Sequence, residues 1–159
     1  MSEENVNKLP HSWSLAPLED LVRTPKADIV DGPFGSNLKA SGYIDDGIPI
    51  IRLQNIDRNL VLLKNLRYVT AQKARDLSRH SFNRGDIVIS KLGNPLGEAC
   101  VVPDELESGI IVADVVRVRL PQNLLNKLTI VYALNSQSVQ SQFRRLTKGT
   151  TRPRVNLNH

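Results

Sequence analysis

Gly32-Pro33-Phe34-Gly35-Ser36-Asn37-Leu38-Lys39, followed nine residues later by Ile48-Pro49-Ile50-Ile51-Arg52-Leu53-Gln54-Asn55-Ile56, decides how this chain is read. The first run is a glycine-rich turn, in which bare backbone amides can come close to an anion. Ser36, Asn37 and Lys39 add side-chain donors and a cation. The second run reads as a buried strand, with Ile48, Ile50, Ile51 and Leu53 packing inside. It closes on Arg52, Gln54 and Asn55, residue types able to make paired hydrogen bonds to base edges.

Outward from this pair, the pattern is that of strands first and helices last. A short helix through Leu21 opens behind Pro17, and Ala27 to Val30 forms a short strand before Asp31-Gly32-Pro33. Short extended pieces span Val61 to Val69, and Thr70 caps a helix to about Arg79, leaving His80 at its end. Arg84-Gly85-Asp86 is a tight turn into an apolar strand, Asp86 to Ser90. Lys91-Leu92-Gly93-Asn94-Pro95-Leu96-Gly97 is a loop into a further strand, Glu98 to Val102. Ile110 to Val112 and Asp114 to Leu120 are two more. In the second of these, Val116 and Val118 lie on one face, Arg117 and Arg119 on the other. Gln122 to Asn135 and Val139 to Leu146 are helical. The expected fold is α+β. It is a single compact domain around a central, mostly antiparallel or mixed twisted sheet, with helices at the N-terminal end and in the C-terminal third. Residues 1–12 are a loose N-terminal segment and 13–159 the domain.

Charge is placed unevenly. All 16 acidic residues lie between Met1 and Asp114, whereas Val115 to His159 carries Arg117, Arg119, Lys127, Arg144, Arg145, Lys148, Arg152 and Arg154 and no acid. One-ended basicity of this kind suits a polyanion, since cations placed on phosphates release condensed counterions. A solvated helix face with a basic tail explains the same charges. Apolar content of 40% supports an ordinary core rather than a disordered chain. No apolar run reaches the ~20 residues that span a bilayer, and residence in the cytoplasm is expected.

Catalytic and cofactor patterns are missing. His11, His80 and His159 form no ligand pair, and the lone Cys100 sits in an apolar run. Gly35-Ser36-Asn37 is no nucleophile elbow, and no phosphate-loop or dinucleotide fingerprint occurs. Asn94-Pro95-Leu96-Gly97 lacks the second proline and aromatic of a methyltransferase motif. The expectation is no enzyme, no catalytic residue, no cofactor and no metal. The loops then matter through binding. The bland alternatives are that Gly32 to Lys39 is a wide turn, that Arg52, Gln54 and Asn55 satisfy buried backbone, and that Lys91 and Asn94 are plain loop residues.

The ordered set of motifs resembles the target-recognition domain of type I restriction–modification specificity subunits. The residues that carry the resemblance are Gly32 to Lys39, Gly47 to Ile56, Gly85-Asp86-Ile87-Val88-Ile89-Ser90-Lys91 with Gly93 and Gly97, and Gly149-Thr150-Thr151-Arg152. Leu9-Pro10-His11-Ser12-Trp13 with Leu18-Glu19-Asp20 resembles the usual start. The resemblance implies a non-catalytic reader of one half of a bipartite double-stranded DNA site. Its implied partners are methylation (M) subunits and, as a second expectation, restriction (R) subunits. Such subunits carry two recognition domains separated by long helices. One is present here, and Asn156 to His159 stands where the helical spacer would begin.

The candidate DNA-binding residues fall into two sets. Lys39, Arg144, Arg145, Lys148 and Arg154 go mainly to phosphates. Arg52, Gln54, Lys91, Asn94, Thr151 and Arg152 go to the base-facing surface. Ser36, Asn37, Asn55 and Thr150 supply further donors. The rival readings are a protein-interaction module whose basic end docks on a partner subunit, and a recognition domain detached from a fused restriction or methylation enzyme. More distant is a nuclease using Asp86 or Glu98.

Overall fold

The computed structural model describes Ser12 and residues 14–93, 96–122 and 126–146. Residues 1–11 of the loose segment expected at the N-terminus and the tract Lys148 to Arg154 lie outside these, as does Asn94.

Two antiparallel-rich sheets take the place of one. The first runs in the order β1 (Ile29–Asp31), β10 (Val115–Val118), β7 (Ile87–Ser90), β8 (Ala99–Val101), all antiparallel. The second runs β5 (Arg67–Val69), β2 (Ile48–Ile51), β9 (Ser108–Ile111), β6 (Ser81–Asn83), with β2 and β9 parallel. A short ribbon, β3 (Ile56–Asp57) with β4 (Leu60–Val61), completes the strands. The helices are α1 (Pro25–Asp28), α2 (Ala71–Asp76), α3 (Lys127–Leu134) and α4 (Gln137–Leu146). A mixed α+β domain is what the sequence led one to expect.

The two-residue period of the strands sorts side chains into layers. Val88, Cys100, Val115, Ile51, Ile111 and Phe82 point into the space between the sheets. Their strand neighbours Ile87, Ile89, Val116 and Val118 point the other way, onto Val131 and Leu134 of α3. Ile50, Val69 and Ile110 face outward from the second sheet, onto Leu77 and Leu38. Each sheet therefore buries both faces, which is why runs such as Ile87-Val88-Ile89 show no polar alternation.

Arg117 pays for this arrangement. Val116 and Val118 share a face as expected, but the opposite face is not solvent, because it lines the layer between the sheets. Arg117 is accordingly buried, with Nη2 donating to the Ala27 carbonyl (3.0 Å), and desolvation lowers its pKa. Arg119, further out, donates through Nε (3.1 Å) and Nη2 (2.8 Å) to the buried carboxylate of Asp86. Cys100 is fully buried against Val88, and desolvation pushes its thiol up to about 12.

Other local readings shift in detail. Ala27 and Asp28 belong to the turn α1 rather than to a strand. The strand from Gly47 stops at Ile51, and Leu53–Asn55 is a 3-10 turn. Thr70 does cap α2, its side chain accepting from the Lys73 amide at 3.1 Å. That helix ends at Asp76, and a 3-10 turn, Ser78–His80, follows. The helix expected from Gln122 begins only at Lys127, where Asn126 caps it by accepting from Leu128 and Thr129.

Candidate nucleic-acid interface

Strand directions decide which loops meet. The chain leaves the first sheet at Asp31 and Ser90 and enters it at Ala99 and Val115, all at one end. β9 runs out of the second sheet at Ile111 and turns through Val112–Asp114 straight into β10. The parallel partner β2 ends beside it at Ile51. The loops starting at Gly32, Arg52 and Lys91 therefore all issue from the same end of the molecule.

The turn 112–114 is the point where they are rooted. The Val112 amide donates to the Ile51 carbonyl at 3.2 Å, just before Arg52. The Lys91 amide donates to the Asp114 carbonyl at 2.9 Å, and the Gly32 amide to the Val115 carbonyl at 3.0 Å. Gly32 runs so close that a Cβ there would sit 1.9 Å from the Val112 oxygen. Across the first sheet, β1 and β8 are separated by three strand spacings, roughly 15 Å. That breadth brings α4 into the same surface, because α4 packs on the β7–β8 loop. Gln140 Nε2 donates to the Gly97 carbonyl at 2.8 Å, and a Cβ on Gly97 (φ +79°) would strike the Phe143 ring.

The expected residues divide by what they touch. Ser36, Asn37 and Lys39 line an open depression of about 200 Å³ together with Ser41, Gly42 and Lys73 of α2. Arg144 and Arg145 are exposed on the last turn of α4. Arg144 also lines a polar cavity of about 420 Å³ with Arg58, Glu98, Asn135, Gln137 and Gln140. Gln54 is exposed; with its amide oriented to accept, both terminal nitrogens of Arg52 donate to it (3.0 and 2.9 Å). Arg52 is half-buried, donates to the Asn65 carbonyl at 2.6 Å, and lies 6.0 Å from the centre of the Tyr43 ring. Its guanidinium is thus held in one place rather than swinging free.

Two of the expected residues are occupied internally. Asn55 is fully buried. Its oxygen accepts from the Arg52 amide (3.2 Å), and its nitrogen donates to the Leu62 and Lys64 carbonyls (3.0 and 3.3 Å). Lys91 forms an ion pair with Asp31 and is only 11% exposed, tying the β7–β8 loop to β1. Asn94, Lys148, Thr150, Thr151, Arg152 and Arg154 lie outside the described residues. Lys73 and Arg58 join the surface without having been expected there. No sequence pattern marks either, since each is placed by contacts far along the chain.

Asp86 and Glu98 stand at opposite ends of the β7–β8 pair, before its first and second strand respectively, so they form no joint carboxylate site. Asp86 is committed to Arg119 and to the Asn83 amide (2.8 Å). Glu98 lies in the larger cavity, where partial burial and then the Asp57 charge raise its pKa, with Arg58 opposing. A carboxyl raised in the folded state makes stability fall as pH climbs from the ordinary value near 4.5 through the folded value. Glu98→Gln should remove that fall. The variant is expected to melt slightly higher than the parent at pH 7 and equally at pH 4, with parallel profiles as the contrary result.

Neither a family model nor a curated protein matches the sequence. Solved structures do. The S subunit of a type I restriction–modification system from M. genitalium superposes with a TM-score of 0.55 at 15% identity, over 95% of this chain and 33% of that one. The HsdS subunit from Thermoanaerobacter tengcongensis gives 0.55 at 18% identity, over 94% and 36%. The chain has the fold found in type I S subunits. A chain from a study of complex assembly and conformational transition in a type I R-M system gives 0.51 at 18%, over 83% and 31%. This chain spans about a third of the length of each of these three chains. No helix among the described residues is long and apolar enough to cross a membrane.

Proposed function

We propose that this chain is a non-catalytic DNA specificity module that reads one half-site of a bipartite double-stranded target for methylation and restriction subunits in the cytoplasm. The observation that carries this reading is the convergence of three loops and the basic end of α4 on one end of an S-subunit fold. Lys39, Lys73, Arg144 and Arg145 lie where they can meet phosphates. Ser36 and Asn37 add donors beside them. Gln54 and the braced Arg52 are the base-facing candidates, with Asn94 and the segment Lys148 to Arg154 extending the surface in sequence. Asn55 and Lys91 act in this reading by holding loop roots rather than by touching DNA.

The outer face of α3 favours a second reading. Leu128 and Tyr132 are 55% and 62% exposed one helical turn apart, an arrangement that suits a protein partner. Salt separates the two. Duplexes recovered from a randomised pool should bind with a log–log salt slope near −4 or steeper, since each neutralised phosphate contributes about −0.9 and the proposed phosphate contacts are Lys39, Lys73, Arg144 and Arg145. Arg144→Ala with Arg145→Ala should flatten the slope by about 2. Salt-insensitive binding, or none to any duplex, overturns the DNA reading and leaves the docking one.

A further inference from the structure

We infer that Phe34 is a stacking wedge of this surface, its ring entering a base step of the bound duplex and opening it. The inference rests on the DNA reading above and adds a residue and a mode of contact to it. Phe34 is 80% exposed, the most exposed large apolar side chain among the described residues. An aromatic ring left in water contributes nothing to the core and forgoes the burial that normally holds such a residue inside.

Its exposure is not that of a loose loop. On one side, Gly32 is bonded to Val115 and wedged against Val112, and Pro33 is buried. On the other, Leu38 is buried among Ile50, Val69, Leu77 and Ile110. Between these anchors the Asn37 amide donates to the Phe34 carbonyl at 2.8 Å, closing a tight turn. The ring is therefore presented on a short finger fixed at both ends, which lowers the ordering cost of contact.

The surroundings select the occupant. Gly35 has open space around its α-carbon, so the backbone after the ring can lie against another chain. Ser36, Asn37, Ser41, Lys39 and Lys73 line the adjoining depression, a set of donors and cations with no carboxylate among its lining residues. An apolar partner surface has no use for that set, whereas phosphates flanking an opened base step do. An aromatic or apolar wedge beside cations is a recurrent means of unstacking one step and bending the duplex.

The test uses the full chain, a duplex recovered from the randomised pool, and 2-aminopurine placed at each position of that duplex in turn. Wild type should raise the fluorescence at one step. Phe34→Ala should abolish that rise and weaken binding roughly 10-fold or more, the equivalent of one lost stacking contact. Its urea midpoint should stay close to the parent's, because a ring 80% exposed adds little to the core. Phe34→Trp should keep both binding and fluorescence. If wild type binds the duplex while no position brightens, or Phe34→Ala keeps full affinity, the inference fails and the DNA reading stands. If wild type binds no duplex, both fail.

Discussion

Asp86→Ala is expected to lower folding stability by about 3 kcal/mol, seen as a drop in the urea midpoint with an unchanged slope. Asp86 is 4% exposed and accepts both nitrogens of the Arg119 fork, while its second oxygen also takes the Asn83 amide. Removing it strips Arg119 of its partner, leaves the Arg119 charge acting against that of the neighbouring buried Arg117, and leaves Asp28 as the remaining acid that favours both charges. Arg117 already has Nε and Nη1 without a hydrogen-bond partner among the described residues. Breaking a buried pair costs ~3–5 kcal/mol. The lower end applies because Arg119 is 36% exposed and can turn toward water. Asp86→Asn keeps the acceptor for Asn83 but not the charge, and should fall between. Equal loss in both variants would mean that the turn, not the ion pair, is what Asp86 supports.

Local periodicity made most strands legible. Ile87-Val88-Ile89 and Ile50-Ile51 announce buried extended segments, and Thr70 and Gly85 mark where a helix and a strand begin. The division into two sheets was not legible, because it depends on the parallel pairing of Ile50 with Ile110 and Ile51 with Ile111, residues about sixty apart. No local signal encodes such a pairing. The burial of Arg117 follows from the same fact. Alternation correctly puts it opposite Val116, but only the second sheet turns that face into an interior.

The site was legible as a set of motifs and illegible as a surface. Gly32 to Lys39 stands out by composition, and the structure adds that its two ends serve different layers. Arg52, Gln54 and Asn55 are one phrase in sequence yet three roles in space: a braced guanidinium, an exposed amide and a buried clamp. The 3-10 turn that separates them is short enough to escape any periodicity. Lys91 shows the same limit from another side, since its partner Asp31 lies sixty residues earlier.

Gly32→Ala should be the variant that ties fold and function together. The added methyl carbon would lie 1.9 Å from the Val112 oxygen, 2.1 Å from its carbon and 2.7 Å from the Ala113 nitrogen, all backbone atoms that no rotamer change can move aside. Relief requires β1 or the 112–114 turn to shift. That turn also holds Ile51 and Lys91 through the Val112 amide and the Asp114 carbonyl, so all three loop roots move with it. Overpacking costs ~1–3 kcal/mol where side chains can yield. With backbone on the other side, a loss of about 3 kcal/mol is expected in urea unfolding. The fraction that remains folded should bind duplex DNA at least tenfold more weakly, reflecting displaced loops rather than lost contacts. Gly35→Ala is the matched control, three residues along the same loop with nothing within 4 Å of the new methyl. It should leave the midpoint unchanged, and equal destabilisation by both substitutions would refute the rooting of the loops at Gly32.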